Sequence, residues 1–199
     1  MNEYGANGLG YKTAAAGTEI IHQIPPSKEG VVRITSLSYL DTGTAHGIYI
    51  LRELAKTTLA SAAISGATTF TGLTAPSPTT FVANGFCSVE CDGGVTHASK
   101  ITSWTAASGT LIIGTGLTAA AAAGNRVWNH GNLTATDAGT GLAHPYFLTV
   151  INTTLSLPPT GVPALIAANK DDSPVLVISN NPTAAGKFNA LTYCYARPS

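Results

Sequence analysis

The sequence predicts an all-β protein: a β-sandwich of jelly-roll-like topology with an inserted small β-barrel-like unit and minimal helix. About a dozen short runs rich in Val, Ile, Thr, Tyr and Phe recur along the chain at the spacing typical of sandwiches and barrels. Gly, Pro, Asn and Asp separate these runs, and those residues favour turns. Helical periodicity is almost absent.

Two segments predict β-hairpins. Residues 31–40 and 47–54 are β-rich runs around the turn signal Asp41–Thr44, so we expect 31–54 to form a hairpin. Residues 85–91 and 95–104 flank Asp-Gly-Gly, a stronger hairpin signal because glycine adopts left-handed turn conformations readily. Further strands are expected at 18–24, 110–114, 126–130, 146–152, 174–179 and 187–196.

One segment predicts a short helix. Thr118 is a suitable N-cap, five alanines follow it, and Gly124 stands at the C-terminal stop. Alanine has the highest helix propensity, but one or two turns are marginal without packing.

Shifts in composition predict the domain organisation. Residues 1–17 carry many Gly and Asn residues and form an extended N-terminal arm. Residues 57–84 change to Thr, Ala, Ser and Pro, and 131–145 has the composition of a loop. We therefore expect a β-sandwich built from 18–61 and 132–199, with a small β-domain, 62–131, inserted into it.

The scarcity of charge is the main indication of function. Only 10% of the residues are Asp, Glu, Lys or Arg, against roughly 25% in average soluble domains, and the formal net charge is zero. A surface of Thr, Ala and Gly has few charges to desolvate on docking, which favours extensive protein contact. No basic patch indicates nucleic-acid binding.

No targeting or membrane segment is evident from the sequence. The N-terminus, MNEYGANGLG, lacks a basic stretch followed by an apolar one, so a secretory signal is not expected. No apolar run approaches the roughly 20 residues that span a bilayer. We expect synthesis in the cytoplasm.

Catalytic and metal motifs are weak. The three cysteines, Cys87, Cys91 and Cys194, argue against a disulfide scaffold, and buried free thiols are the expected state. Cys87, Cys91 and His97 could supply three zinc ligands, but a structural zinc site needs four. No nucleophile elbow or phosphate-binding glycine motif is present, and the adjacent carboxylates Asp171 and Asp172 are expected to lie in a solvated turn. We therefore predict no enzymatic activity, no metal and no cofactor.

The N-terminal arm supplies the candidate partner-binding residues. Tyr4, Leu9 and Tyr11 are spaced along it, and an extended segment with large side chains can lie in a groove on a neighbour. We predict that these three residues contact a partner.

Three segments resemble small virion proteins of tailed bacteriophages. They are TSLSYLDTGTAHGIYILRELAKTTL (35–59), TSWTAASGTLIIGTGLTAAAAAGNRVWNHG (102–131) and KFNALTYCYA (187–196). The chain is similar in these runs to the capsid decoration, or cement, proteins. The Pro-rich residues 157–163 and the N-terminal arm depart from that pattern.

The resemblance implies a protein that binds the outside of an icosahedral shell as a homotrimer and links neighbouring subunits of the major capsid protein. It implies no catalytic residues. Two alternatives remain open: another virion component, such as a tail or head fibre, and a carbohydrate-binding β-sandwich. Exposed Trp104 or Trp128 would favour the latter, because sugars stack on exposed aromatic rings.

Overall fold

The structure is a computed structural model, and it describes residues 3–9, 12–14, 19–26, 31–41, 46–133, 148–150, 155–156, 165–167, 173–180 and 186–196. Its sixteen strands are β1 (Glu3–Leu9), β2 (Lys12–Ala14), β3 (Glu19–Ile24), β4 (Val31–Asp41), β5 (His46–Leu51), β6 (Ala55–Thr58), β7 (Thr69–Phe70), β8 (Phe86–Glu90), β9 (Thr96–Thr105), β10 (Thr110–Ile113), β11 (Arg126–Gly131), β12 (Leu148–Val150), β13 (Leu155–Ser156), β14 (Leu165–Ala167), β15 (Val175–Asn180) and β16 (Gly186–Ala196).

All sixteen strands pair antiparallel, and the only helical element in the described ranges is a 3-10 turn at Asp92–Gly94. The predicted all-β, sandwich-like fold is confirmed. None of the helices described is long and apolar enough to cross a membrane.

The chain divides into two compact units. The first contains Met1–Arg52 and Pro145–Ser199, and the second contains Glu53–His144. The insertion expected from the sequence, 62–131, lies inside the bounds of the second unit.

Two sheets form the first unit. One has the order β1-β16-β4-β13, with β2 also on β16 and β14 also on β4; the other has the order β12-β5-β15-β3. Strand β15 lies between two partners in the second sheet, and Val175, Leu176, Val177 and Ile178 are at most 1% exposed. Burial on both faces is why this run is continuously apolar rather than alternating.

The predicted hairpin over 31–54 is wrong. Strand β4 pairs with β16 on one side and with β13 and β14 on the other, whereas β5 pairs with β12 and β15 in the second sheet. Both edges of β4 are therefore occupied by later strands. The strands before and after this turn signal therefore belong to different sheets.

The second unit is one six-stranded sheet, order β6-β11-β8-β9-β10-β7, curved into a half-barrel. Its hairpin of β8 and β9 confirms the prediction for 85–104, and Gly93 and Gly94 in the turn have φ of 74° and 77°. The concave core is a cluster of buried residues from every strand but β6: Leu59, Phe70, Leu73, Phe81, Cys87, Val89, Cys91, Ile101, Leu111, Ile113, Leu117, Ala121 and Val127.

The predicted helix at 118–124 is wrong. Ala121 instead forms a β-bridge with Ala63, each amide donating to the other's carbonyl at 2.8 Å. The carbonyl of Ala120 accepts from the Asp92 amide at 2.8 Å, and the Ala122 amide donates to the Asp92 carboxylate at 3.1 Å. These backbone groups are satisfied by neighbouring segments, so local helix propensity is overridden by tertiary hydrogen bonds.

Candidate docking surface

The second unit contains two long segments without charge. No Asp, Glu, Lys or Arg occurs between Lys56 and Glu90, or between Lys100 and Arg126. Thr, Ala, Ser and Gly dominate both segments. Charged residues normally cover the surface of a soluble domain, so the position of these segments in the fold determines where an uncharged surface can lie.

The fold brings the two segments together along one rim of the half-barrel. Residues 59–73 run antiparallel to residues 109–125, and backbone hydrogen bonds join them at intervals. The amide of Leu59 donates to Asn125 O at 2.9 Å, that of Gly66 to Leu117 O at 2.8 Å, and that of Leu73 to Gly109 O at 3.0 Å. We call this paired edge, 59–73 with 109–125, the uncharged rim.

Glycine permits the close approach of the two segments at one end of the rim and near its middle. A Cβ on Gly109, which has φ of 58°, would lie 2.2 Å from the carbonyl oxygen of Leu73. A Cβ on Gly116 would lie 2.4 Å from Gly66 O. Both approaches require glycine, because no side chain fits at such distances.

An exposed apolar side chain and a groove lie on the uncharged rim. Ile64 is 77% exposed, far more than the other exposed large hydrophobic residues described, Val82 and Val95. A groove of about 250 Å³ lies beside it. Its apolar lining includes Leu59, Ala63, Phe70 and Leu73, and Ala62, Thr69 and Thr71 border it. An apolar residue in a charge-free environment of this kind is typical of protein-contact surfaces.

Three charged residues of the second unit lie together at one end of the uncharged rim, and two of them, Arg126 and Glu90, form an ion pair. Arg126 donates from Nε and Nη2 to the carboxylate of Glu90, at 2.9 Å for each bond, and its guanidinium lies 5.0 Å from the centre of the Trp128 ring. The Asp92 carboxylate accepts hydrogen bonds from Asn125 Nδ2 and the Ala122 amide, both at 3.1 Å. These interactions hold the end of the sheet beside the turn, and they place the Asp92 carboxylate against the 122–125 end of the uncharged rim.

The Ser and His residues that the structure brings together are buried. Ser88 Oγ lies 2.9 Å from His130 Nε2, on neighbouring strands β8 and β11. Ser88 is 0% exposed and His130 is 2% exposed, so no substrate reaches this pair. It is a hydrogen bond of the interior rather than a nucleophile with its base.

The thiols of this unit are also unsuited to chemistry. Cys87 and Cys91 are free and buried. Burial raises the pKa of Cys87 to about 12, and it also raises the pKa of Cys91, where Asp92 adds to the effect and a backbone hydrogen bond opposes it. Both thiols are therefore protonated near neutral pH. Across the described residues, no group of three His, Cys, Asp or Glu side chains is placed to hold a metal ion.

The two tryptophans differ in exposure. Trp128 is 0% exposed. Trp104 packs against the core of the half-barrel, and its ring meets Phe81 edge to face with 5.1 Å between ring centres. Stacking requires an open ring face, so the buried Trp128 cannot serve as a sugar platform, and Trp104 is only half-buried.

The partner-binding residues predicted from the sequence lie in the first unit. Tyr4 and Leu9 belong to β1, where their backbones pair with Tyr195 and Leu191 of β16. Tyr11 lies outside the described residues, and so does the Pro-rich stretch 157–163. The structure thus places two of the three on one strand, and their contact with a partner stays a prediction.

The uncharged rim was only partly foreseen from the sequence. The change in composition at 57–84 predicts a domain boundary in the sequence, whereas in the structure part of this segment forms a surface. The absence of charge from two long segments is the better sequence signal for this surface. The sequence alone does not show that the two segments pair with each other, as they do in the structure.

Comparison with known proteins gives distant structural likenesses, and two of them are described here. No protein-family model matches the chain, and no curated protein matches it. VP17, a capsid protein of bacteriophage P23-77, is 13% identical over 97% of this chain and 100% of its own, with a TM-score of 0.21. The VP16–VP17 complex, of the two major capsid proteins of the same phage, is 12% identical over 94% of this chain and 100% of that chain, with a TM-score of 0.20. Scores of this size do not establish a shared fold, so no function is inferred from either protein.

Proposed function

We propose that this chain is a non-enzymatic structural protein of a bacteriophage virion, which decorates the outer surface of an icosahedral capsid and stabilises it by bridging neighbouring capsid subunits. The observation that carries the proposal is the uncharged rim with its exposed Ile64. The proposed partners are the major capsid protein and two further copies of the chain, which form a homotrimer. No cofactor takes part.

The uncharged rim loses little hydration free energy when it docks against another protein. Removing an exposed charge from water on docking is costly unless it is paired, whereas Thr, Ala and Gly surfaces lose little. The rim therefore docks against another protein with a small penalty. The antiparallel pairing of 59–73 with 109–125 fixes its shape, so little conformational entropy is lost on binding.

A trimer binds a capsid through several contacts at the same time. A decorating trimer touches several shell subunits at once, so contacts that are weak singly become strong together. Linking neighbours in this way resists separation of the shell. The mechanism needs a rigid body and a receptive surface, and it needs no reactive group. The buried state of Ser88, His130 and Cys87 supports a role without catalysis.

The direct test is binding of the purified chain to capsids of the phage that encodes it, assembled without the chain. Co-sedimentation should saturate at a fixed ratio of chain to capsid subunits, and the decorated capsids should withstand higher temperatures. Replacing Ile64 with Asp should weaken binding at least tenfold, because a carboxylate is then desolvated on the rim. Val95→Asp is the matched control: Val95 is 44% exposed but lies beside the charged turn.

The outcomes separate the candidates. Saturable binding to capsids that I64D loses and V95D keeps supports decoration through the rim. Binding to purified tails and not to capsids would make the chain a tail or fibre component instead. Absence of binding to any virion part would overturn the proposal.

A further inference from the structure

A short segment of the uncharged rim crosses from strand β9 to the opposite half of the rim. At its start, the Gly114 amide donates to Lys100 O of β9 at 2.8 Å. At its end, the Leu117 amide donates to Ala67 O at 3.0 Å. Thr115 lies between these two bonds, where the chain has left the backbone ladder of β9 and has not yet reached the other half. Its backbone groups therefore need other partners.

Side chains of β9 supply those partners. The Thr115 amide donates to Ser99 Oγ at 3.1 Å, and the Thr115 hydroxyl donates to the same oxygen at 2.9 Å. His97 Nε2 lies 3.1 Å from Thr115 O. Because a carbonyl can only accept, this nitrogen carries the proton of the neutral ring and donates it. His97 and Ser99 are both buried, so these bonds, rather than bonds to water, hold Thr115.

The turn that carries the exposed Ile64 rests on this crossing segment. The Ala67 amide donates to Ile64 O at 3.1 Å, which closes the turn, and the Gly66 amide donates to Leu117 O at 2.8 Å. Gly116 packs so closely against Gly66 that no Cβ fits between them. Closely packed groups transmit displacement, so a shift of the crossing segment moves the turn as well.

Thiols are the titratable groups that share the concave face with His97 in the described part of the half-barrel. His97 lies opposite Val89 of β8, and Cys87 and Cys91 lie on the same face. Burial raises the pKa of both thiols, so they are uncharged near neutral pH. The two halves of the uncharged rim contain no titratable side chain.

The charged residues nearest to His97 along the strands are engaged elsewhere. The Glu90 carboxylate bonds to Arg126. The Asp92 carboxylate accepts from the Ala122 amide and from an asparagine side chain. Lys100 lies three residues along β9, and alternation along a strand places it on the opposite face. Among the described residues, no carboxylate is bonded to His97, so none would stabilise a positive charge on its ring.

We propose that protonation of His97 releases Thr115, shifts the turn that carries Ile64 and so weakens docking of the uncharged rim; this regulation rests on the proposed function of the rim. The second proton of the ring goes to Nδ1, which has no hydrogen-bond acceptor among the described residues. A buried imidazolium without a counter-charge is costly, so the ring turns outward to water. Thr115 O then loses its donor, and the crossing segment loses part of its anchor to β9.

Burial sets the direction of the pH effect. It lowers the pKa of His97 below the ordinary value, and the hydrogen bond to Thr115 opposes this shift. The inward ring is therefore neutral at pH 7, whereas a ring turned out to water takes up its proton near the ordinary pKa of about 6.5. The inward position is lost as the pH falls through the lowered pKa. Docking is accordingly stronger at neutral pH than at pH 5.

Co-sedimentation with capsids assembled without the chain, at about pH 7.5 and about pH 5, tests the regulation. Binding of the wild type should be about tenfold weaker at the lower pH. His97→Gln should reduce this ratio to less than about threefold, because glutamine can donate to Thr115 O but does not titrate. His130→Gln is the matched control, since His130 is also buried but bonds to Ser88 on the other face of the sheet. It should keep the wild-type ratio.

Nuclear magnetic resonance of the full chain gives a second readout that needs no capsid. Between about pH 8 and pH 5, the amide signals of Ile64 and Gly66 should shift with the same midpoint as the His97 ring. In H97Q these two amide signals should not shift over that range. The same experiment shows whether each variant is folded.

The results separate this regulation from decoration itself. If the wild type binds capsids equally at both pH values, or if H97Q keeps the wild-type ratio, the regulation is refuted and decoration stands. If the Ile64 and Gly66 signals follow His97 but the chain binds no virion part, the coupling of His97 to the turn is confirmed and decoration is refuted. Amide signals that ignore the titration of His97 would overturn the coupling.

Discussion

Asn129 connects a central strand of the half-barrel to the loop that follows the rim. Its side chain is buried, and its Nδ2 donates to Thr79 O and Thr80 O, at 2.9 Å in each case. Its Oδ1 accepts from the Gly131 amide at 3.0 Å. One amide thus satisfies three backbone groups, which fixes the loop against β11.

Replacing Asn129 with Ala should lower the free energy of unfolding by about 2–4 kcal/mol, because three backbone groups then lose their partner in a place with little access to water. Urea unfolding measures the loss. Asn125→Ala is the control, since Asn125 is partly exposed and water can replace its bonds to Glu90 O and Asp92. A loss no larger for N129A than for N125A would contradict this role.

His97 predicts a dependence of stability on pH. Burial lowers its pKa below the ordinary value, while its hydrogen bond to Thr115 opposes the shift. The unfolded chain therefore binds a proton at higher pH than the folded chain. The contribution of His97 is fully present above its unfolded pKa, about 6.5, and is lost as the pH falls through the lower folded pKa.

The free energy of unfolding should accordingly decrease between about pH 7 and pH 5. His97→Gln should reduce that slope, because glutamine can donate a hydrogen bond to Thr115 O but does not titrate. Urea unfolding at a series of pH values measures the slope. An identical slope in H97Q would show that other groups cause the dependence.

At the scale of elements, local turn chemistry predicted pairing only where the partner strand is next in sequence. The Asp-Gly-Gly turn joins β8 and β9 as expected, because Gly93 and Gly94 fix a tight reversal. The signal at Asp41–Thr44 has the same composition type, yet β4 pairs with β16, far along the chain. Pairing between strands so distant in sequence depends on the whole fold, so it cannot be predicted from the residues near the turn.

The alanine run shows the same limit of local patterns, because its strong local preference for helix does not decide its structure. Its propensity for helix is the highest of any residue type. The bridge between Ala63 and Ala121 and the bonds to Asp92 come from segments distant in sequence, and they give the run irregular structure instead.

The N-terminal arm carries a prediction at this scale. Changing Tyr4, Leu9 and Tyr11 together to Ser should weaken capsid binding while the chain remains folded, because large side chains on an extended segment are suited to contact with a neighbour. Co-sedimentation measures binding and circular dichroism measures folding. Loss of the fold, or unchanged occupancy of the capsid, would contradict this role.

At the scale of the whole molecule, composition predicted more than any motif. The low content of charged residues and the zero net charge predict a protein that makes extensive contacts with other proteins. The two charge-free segments include the residues of the uncharged rim. What the sequence could not provide was the pairing that joins those gaps into one rim, or the exposure of Ile64 beside a groove. Hydropathy alone would place Ile64 in the core, as most isoleucines are.

Oligomeric state is the first prediction for the whole molecule. Light scattering of the wild-type chain should give three times the chain mass of 20.2 kDa, because the proposed decoration protein is a homotrimer. A monomer at all concentrations would contradict the trimer and favour a single-copy binding module.

Salt dependence is the prediction that tests the physical basis of the contact. Screening by salt weakens attraction between opposite charges, and the Debye length falls from about 10 Å at 0.1 M to about 3 Å at 1 M. An uncharged rim has no such attraction to lose. Capsid binding by the wild type should therefore change less than about threefold over this range, and it should strengthen slightly in sulfate, which favours apolar burial. Binding that falls by a factor of ten or more would mean that charged residues elsewhere on the chain, and not the uncharged rim, hold it to its partner.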